Sequence, residues 1–266
     1  MSDQTPNRPP TPTEPPGRDL LAGRRVVITA AAGSGIGGSL ARRCMLEGAT
    51  LTISDAHVRR LGETADALQE EFGKRPTAIP CDVTDEASVQ ALVAGAIDAM
   101  GGYDTWMNNA GLGGNGLITE LTDEQWQKVL DVTLTGTFRC LRAALPHLYQ
   151  QGEGAVVNNA SVLGWRAQER QGHYAAAKAG VMALTRTAAV EAAAHNVRVN
   201  AVSPSLAMHA NLAKVTPPGL LAELEAAEAF GRAAEPWEVA NVMVFLASDL
   251  SSYMTGEVLA VSSQHP

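Results

Sequence analysis

Short apolar runs alternate with amphipathic, helix-like segments along nearly the whole chain. The runs are RRVVITA, ATLTISD, TAIPCDV, YDTWMNNAG, AVVNNAS, VRVNAVSP and GEVLAVS, in that order. Apolar residues follow one another within a run, which is typical of parallel strands covered on both faces. Glycines such as Gly48 and Gly73 indicate where the intervening helices stop. The pattern therefore predicts an α/β fold, a parallel sheet with helices on both faces.

No break interrupts this alternation, so residues 18–266 are predicted to form a single domain. Residues 1–17 are rich in proline and nearly free of apolar side chains. Such a segment cannot bury enough surface to offset the entropy of ordering it, which predicts a disordered tail. The tail also lacks the basic and apolar regions of a secretory signal.

Composition narrows the range of partners. The formal net charge of −8 argues against binding to nucleic acid or to an anionic membrane, and no apolar run is long enough to cross a bilayer. Cys44, Cys81 and Cys140 are scattered and form no C-x-x-C pair, which argues against a disulfide framework or a zinc site. We expect a cytoplasmic protein without a metal ion.

A phosphate-binding signature follows the first apolar run. Gly33, Gly35 and Gly38 fit G-x-G-x-x-G between a predicted strand and a predicted helix. Asp55 ends the second run, where a carboxylate can accept hydrogen bonds from both ribose hydroxyls of an NAD adenosine. A carboxylate there repels a 2′-phosphate, so NAD is favoured over NADP. The alternative for Asp55 is a helix cap, and one residue can serve both purposes.

Three side chains near the fifth run suit interconversion of an alcohol and a carbonyl. Tyr174 and Lys178 are four positions apart in an alanine-rich segment, so a helix places them on one face. A neighbouring ammonium is expected to lower the phenol's pKa and make it a usable acid/base near neutral pH. Ser161 ends the fifth run and can hydrogen-bond the reacting oxygen.

These segments together resemble the short-chain dehydrogenase/reductase family over residues 20–262. The matching motifs are TAAAGSGIG, CDVTD, NNAG, Ser161 with Tyr174 and Lys178, NAVSP, GRAAEPWEVA and FLASD with TGEV. The resemblance implies a three-layer Rossmann fold, with a seven-stranded parallel sheet in the order 3-2-1-4-5-6-7. It implies Tyr174 as acid/base, Lys178 on the nicotinamide ribose and Ser161 on the substrate oxygen. It also implies a homotetramer, in which two long helices pair across a two-fold axis.

The same resemblance implies a set of cofactor-binding residues along the carboxyl ends of the strands. They are Gly33, Ser34, Gly35, Ile36, Gly37, Asp55, Asp82, Val83, Asn109, Ala110, Gly111, Tyr174, Lys178 and Pro204.

The chain departs from the family pattern at four places. The glycine turn is one residue longer, and Ala30 or Ala31 replaces its first glycine. Thr133 stands where the family often has a catalytic Asn whose carbonyl holds a relay water, so we assign a catalytic role to Thr133 through its main chain. After the sixth run, Ser205 replaces a glycine and His209 aligns with a cofactor-binding threonine. SSQHP replaces a C-terminal Gly-Gly.

Substrate recognition is expected in the segments that follow Ser161 and NNAG and in a loop at about residues 205–232. The expected substrate residues are Leu112, Leu163, Trp165, His173, Met208 and His209. Apolar side chains predominate, which suits a bulky apolar substrate, although they can equally pack the loop itself. His173 can either line the pocket or lie on the helix surface.

A closer similarity within the family suggests a substrate class. Ser161–Gln168 and the GRAAEPWEVA block resemble dehydrogenases of steroid-ring catabolism that act on CoA thioesters. Arg166, Arg170 or Lys214 can meet the CoA phosphates, but solvated surface is the favoured interpretation of all three. Two alternatives stay open: a 3-oxoacyl-thioester reductase, which Asp55 disfavours, and a catalytically silent NAD-binding sensor or scaffold.

Overall fold

Seven parallel strands form one sheet in the order β3-β2-β1-β4-β5-β6-β7. The computed structural model describes residues 11–208 and 218–263. The strands are β1 (Arg25–Ile28), β2 (Thr50–Asp55), β3 (Thr77–Pro80), β4 (Thr105–Asn108), β5 (Gly154–Asn159), β6 (Val197–Pro204) and β7 (Val258–Val261). The α/β class and the strand order are confirmed.

Helices connect successive strands. They are α1 (Ile36–Leu46), α2 (Val58–Phe72), α3 (Glu86–Met100), α4 (Asp123–Leu130), α5 (Gly136–Gln151), α6 (Gly172–Ala193), α7 (Pro218–Ala227) and α8 (Pro236–Ala247). A π-helical segment, Asp131–Thr135, joins α4 to α5. Gly73 ends α2 in a left-handed conformation, as the glycine pattern predicts. No helix in the described part of the chain has both the length and the apolarity needed to cross a bilayer.

Both faces of the sheet are covered by apolar side chains. On one face, Ile28 and Ile53 pack with residues of α1, α2 and α8; on the other, Val27 and Trp106 pack with residues of α3, α5 and α6. All of these strand residues are fully buried. This explains why each run is continuously apolar: a strand between two helical layers has no solvent-facing side.

Residues 11–17 make specific contacts with α1. Glu14 forms an ion pair with Arg42, at 2.5 Å, and the carbonyl of Pro15 accepts a hydrogen bond from Arg43 at 2.6 Å. Arg43 is buried and is also paired with Glu47 on the same helix. The segment is therefore held against α1 by charged and carbonyl contacts, which a criterion based on apolar content does not detect. Residues 1–10 lie outside the described part.

The sheet order reverses direction between β1 and β4, which are hydrogen-bonded neighbours. On one side of this boundary the chain continues through β2 to β3, and on the other through β5 to β7. The connections leave in opposite directions, so a crevice opens beyond the carboxyl ends of these two strands. The side chains and loops described next lie around that crevice.

Candidate active site

Tyr174 and Lys178 lie on the first turns of α6, and their side chains are close together. The Lys178 Nζ atom is 5.6 Å from the centroid of the Tyr174 ring. Ser161, just beyond β5, lies within hydrogen-bonding reach of the Tyr174 side chain. The Ser161 Oγ atom also accepts a hydrogen bond from the Leu163 backbone N–H at 3.2 Å, which fixes the start of the following 3₁₀ turn. The structure therefore brings the three predicted side chains together.

Burial dominates the electrostatics of this group. It raises the pKa of Tyr174, and the hydrogen bond with Ser161 opposes that rise. Burial also lowers the pKa of Lys178 to about 8, and its Nζ donates to the Asn159 carbonyl at 2.5 Å. The prediction that the ammonium lowers the phenol's pKa is therefore wrong in direction, because desolvation of the buried phenol raises that pKa.

The glycine turn between β1 and α1 has a left-handed backbone at two positions. Ala30 has φ 50° and Gly33 has φ 86°. Of the two alanines that can replace the family's first glycine, Ala30 has the left-handed backbone that glycine adopts most readily. A Cβ on Gly37 would lie 2.0 Å from the Ala30 carbonyl oxygen, so only glycine fits there. Gly38 is required for a similar reason, since its Cβ would lie 1.7 Å from the Gly33 oxygen.

The N-terminus of α1 is open to an anion. Gly35 is its N-cap residue and makes no side-chain cap, and the first turn contains no acidic residue. The N–H groups of Ile36 and Gly37 consequently have no capping side chain on this eleven-residue helix. Backbone donors at a helix N-terminus suit a phosphate group, and the helix dipole adds to the attraction.

Asp55 ends β2, and its two carboxylate oxygens accept hydrogen bonds from two different segments of the backbone. Its Oδ2 accepts the N–H of Ala32 at 3.2 Å, and its Oδ1 accepts the N–H of His57 at 2.8 Å, at the start of α2. Asp55 also lines a cleft of about 450 Å³. The carboxylate therefore stabilises the local backbone and faces the cleft, but it does not cap α2, whose N-cap residue is His57 and has no side-chain cap.

The cleft joins residues from five segments of the chain. Its lining is Ala30, Asp55, Ala56, Cys81, Asp82, Val83, Thr84, Ala110, Gly111, Lys128, Asp131 and Val132. Five of these were predicted to bind the cofactor: Asp55, Asp82, Val83, Ala110 and Gly111. Lys128, Asp131 and Val132 were missed, because only the folding of α4 and the π-helical segment over the sheet brings them there.

The residues present fit a dinucleotide. An uncapped helix N-terminus suits the diphosphate, a carboxylate at the end of β2 suits the ribose hydroxyls, and the cleft between them extends to Gly111. A Cβ on Gly111 would lie 3.3 Å from the Lys178 Nζ atom, so the cleft leads to Lys178 and Tyr174.

Comparisons with known proteins agree with this geometry. The family model described as enoyl-(acyl carrier protein) reductase matches residues 30–263. The crystal structure of a short chain dehydrogenase from Mycobacterium smegmatis is 53% identical, with a TM-score of 0.86, and the match covers 97% of this chain and 99% of that one. The chain belongs to the short-chain dehydrogenase/reductase family. Enzymes of this family use NAD or NADP to interconvert alcohols and carbonyls, so the chain is an oxidoreductase of this type.

Two curated relatives are also similar over nearly the whole chain. The (5R,7aS)-5-hydroxy-7a-methyl-1-oxo-2,3,5,6,7,7a-hexahydro-1H-indene-carboxyl-CoA reductase of Mycobacterium tuberculosis is 57% identical over 256 residues, covering 96% of this chain and 98% of the relative. The cis-4-hydroxycyclohexanecarboxylate dehydrogenase of Sinomonas cyclohexanicum is 40% identical over 238 residues, covering 89% and 94%.

Thr133, the residue in place of the family's asparagine, lies in the π-helical segment and is fully buried. Its Oγ1 accepts the Leu112 N–H at 2.9 Å and donates to the Leu112 carbonyl at 3.2 Å. Its own carbonyl accepts a hydrogen bond from the Thr137 hydroxyl at 2.8 Å. The side chain therefore holds the loop after NNAG, and π-helical irregularities are frequent at functional sites.

Asn159 is a site residue that sequence reasoning missed. Its carbonyl accepts a hydrogen bond from Lys178 Nζ, and its Nδ2 donates to Asn109 Oδ1 at 2.9 Å. Asn109 in turn donates from Nδ2 to the Ala30 carbonyl at 2.9 Å. This chain of amides connects the glycine turn to Lys178. One feature of the sequence could have pointed to Asn159. It lies two residues before Ser161, and side chains two apart in an extended backbone lie on the same side.

The predicted substrate residues have different surroundings. Leu112 and Leu163 are half-buried, whereas Trp165 is 45% exposed. His173 is buried and packs against Gly114, where a Cβ would lie 2.2 Å from the His173 Nε2 atom. This rules out the helix-surface interpretation of His173.

The segment after β6 is described only in part. Pro204 is buried at the end of β6, and the Met208 N–H donates to the Ala234 carbonyl at 2.9 Å. His209 and Lys214 lie outside the described residues. Arg170 is exposed, and its Nε donates a hydrogen bond to Asn115 Oδ1 at 2.7 Å.

Proposed function

We propose that this enzyme interconverts a secondary alcohol and a ketone on a bulky alicyclic ring, with NAD as the cofactor and a CoA thioester as the substrate. The observation that carries the chemistry is the contact of Tyr174 with Ser161, with Lys178 buried beside them at the end of the cleft. The ring and the thioester rest on similarity, because the relative from Mycobacterium tuberculosis is named for a hydroxyindene carboxyl-CoA substrate.

In the oxidative direction Ser161 orients the substrate hydroxyl and Tyr174, as phenolate, removes its proton. In the reductive direction the Tyr174 phenol donates that proton to the carbonyl oxygen. Lys178 would hold the cofactor ribose, and its positive charge beside the Tyr174 ring would stabilise the phenolate form relative to a site without it. The nicotinamide, when bound, supplies the two-electron acceptor or donor.

The other end of the cleft would hold the adenosine half. The N–H groups at Gly35, Ile36 and Gly37 would bind the diphosphate, Asp55 the ribose hydroxyls, and Asp82 with Val83 the adenine. NAD is favoured because Asp55 is an anion and Ala56, the next residue, supplies no cation for a 2′-phosphate.

A bulky apolar ring fits the surface around the catalytic side chains. Trp165 offers an exposed apolar surface just after Ser161, and Ile118, which contacts Gly172 at the start of α6, is 81% exposed. These side chains flank the segment that carries Tyr174 and suit a large apolar ring rather than a small linear alcohol.

The test is an absorbance assay of the purified enzyme with NAD and with NADP. The substrates are hydroxyindane carboxyl-CoA thioesters, the corresponding free acids, hydroxysteroids and linear 3-hydroxyacyl-CoA thioesters; NADH and NADPH are paired with 3-oxoacyl and enoyl thioesters. We expect the highest kcat/KM with NAD and the cyclic CoA thioesters. A preference for NADPH and linear 3-oxoacyl thioesters would support the reductase alternative, and NADH binding without turnover would support the sensor.

The acid/base assignment has its own test. Tyr174→Phe removes the hydroxyl but keeps the ring, so kcat should fall by about 10³-fold or more, as expected for loss of acid/base catalysis. The dissociation constant for NADH, measured by fluorescence, should stay within about twofold, since most of the cofactor's contacts lie elsewhere. Retained turnover in this variant would contradict the role of Tyr174.

A further inference from the structure

The lengthened glycine turn is fastened to the neighbouring strand and helix by three consecutive backbone donors. The N–H of Ala31 donates to the Ser54 carbonyl at 2.8 Å, that of Ala32 to Asp55 Oδ2 at 3.2 Å, and that of Gly33 to Thr64 Oγ1 at 3.0 Å. A left-handed residue lies at each end of this stretch, Ala30 and Gly33. The turn is therefore held against β2 and α2.

Thr64 is oriented for this contact. It lies on the second turn of α2 and donates its own hydroxyl hydrogen to the Arg60 carbonyl at 2.9 Å. Because the hydroxyl hydrogen is used in the bond to Arg60, Oγ1 keeps a lone pair that accepts the hydrogen bond from the Gly33 N–H. The hydroxyl thus acts as a fixed acceptor, and a valine of nearly equal size would lack it.

Two consequences follow for a bound dinucleotide. The N–H groups of Ala31, Ala32 and Gly33 are already used, so the diphosphate must bind at Gly35 and the first turn of α1. Asp55 also depends on the turn, because the Ala32 N–H holds one of its carboxylate oxygens beside the cleft. Loosening the turn at Gly33 would therefore disturb both the helix N-terminus and the carboxylate.

We propose that Thr64 is a positioning residue for the adenosine diphosphate half of the cofactor, acting through the lengthened turn. It touches neither the reacting atoms nor the catalytic side chains, so it affects binding rather than chemistry. This inference rests on the proposed use of a nicotinamide dinucleotide.

The test compares Thr64→Val with Thr64→Ser by isothermal titration with NADH and with ADP-ribose, which lacks the nicotinamide. Loss of one hydrogen bond corresponds to a dissociation constant raised about tenfold for both ligands in Thr64→Val. Thr64→Ser should stay within about twofold of the wild type, as should kcat of Thr64→Val at saturating NAD. Glu63→Gln, an exposed change on the same helix, is the matched control.

Each outcome decides a different point. Equal losses for NADH and ADP-ribose, rescued by serine, support the role of Thr64. Unchanged affinity in Thr64→Val, or a loss that serine does not rescue, overturns it. If Thr64→Val does not fold, Thr64→Ser and Thr64→Ala are compared in the same way, and equal affinity of these two overturns the proposal. If the wild-type enzyme binds neither NADH nor ADP-ribose, the proposed function is wrong instead.

Discussion

Lys178 is a buried cation whose placement lowers the stability of the protein. Its side chain is 3% exposed, and burial lowers its pKa from 10.5 to about 8. The unfolded chain keeps this proton up to about pH 10.5, whereas the folded protein releases it near pH 8. The folded state is therefore penalised most below pH 8, by about 3 kcal/mol, and the penalty declines as the pH rises to 10.5.

Replacing this amine should make the protein more stable and less active. Lys178→Met loses the hydrogen bond to the Asn159 carbonyl, which offsets about 1 kcal/mol of the gain. We expect a net stabilisation of about 2 kcal/mol at pH 7, declining toward zero or below by pH 10.5, together with a large loss of turnover. Urea unfolding of both proteins at pH 7 and at pH 10.5 measures this difference in the free energy of unfolding. Lys128→Met, at an exposed lysine, is the control and should change stability by less than about 0.5 kcal/mol.

Residue types with distinctive chemistry could be predicted to form the site, and ordinary polar residues could not. Tyr174 and Lys178 have a helical spacing, and Ser161 follows an apolar run, so the sequence contains their geometry. Asn159 and Thr64 act through an amide and a hydroxyl whose partners are distant in sequence. The direction of the Tyr174 pKa also depended on burial, which spacing does not report.

At the scale of elements, the glycine turn is the clearest departure from the family pattern. Ala30 holds φ 50°, a left-handed conformation that disfavours a side chain by about 1–2 kcal/mol. Ala30→Gly removes this strain and adds about 0.5–1 kcal/mol of conformational entropy to the unfolded chain. We expect a net stabilisation of about 0.5–1 kcal/mol in chemical unfolding, with affinity for NADH within about twofold.

The neighbouring alanine provides the matched control. Ala31 is fully buried and has no positive φ, so Ala31→Gly loses a packed methyl group and gains nothing. It should destabilise the protein by about 1–2 kcal/mol. If both glycine variants are destabilised alike, Ala30 is not strained.

Helices and strands followed from the apolar pattern, while irregular elements did not. The π-helical segment between α4 and α5, at Asp131–Thr135, has no apolar signature in the sequence. Residues 11–17 are held by Arg42 and Arg43 of α1. Arginines are common on helices, so their presence in the sequence does not reveal this contact. Such features depend on partners chosen by the fold, so local composition is a poor guide to them.

At the scale of the whole molecule, the order of the strands came from the family resemblance, because a βαβ pattern alone does not fix which strands are neighbours. The same resemblance implies a homotetramer. Large apolar side chains are exposed along the helices involved: Phe138 on α5 is 41% exposed and Val190 on α6 is 79% exposed. Exposed apolar residues on adjacent helices are typical of an interface between copies.

We therefore expect sedimentation of the wild-type protein to give a tetramer, and Val190→Glu to give a smaller species. A carboxylate placed in an apolar two-fold interface meets its symmetry mate there, and both charges lose their hydration. Val58→Glu, at an exposed valine on α2, is the control and should remain tetrameric. A wild-type monomer would contradict the assembly, whereas a tetrameric Val190→Glu would place the contact on other helices. Unchanged turnover per active site in the smaller species would show that each copy holds a complete cleft.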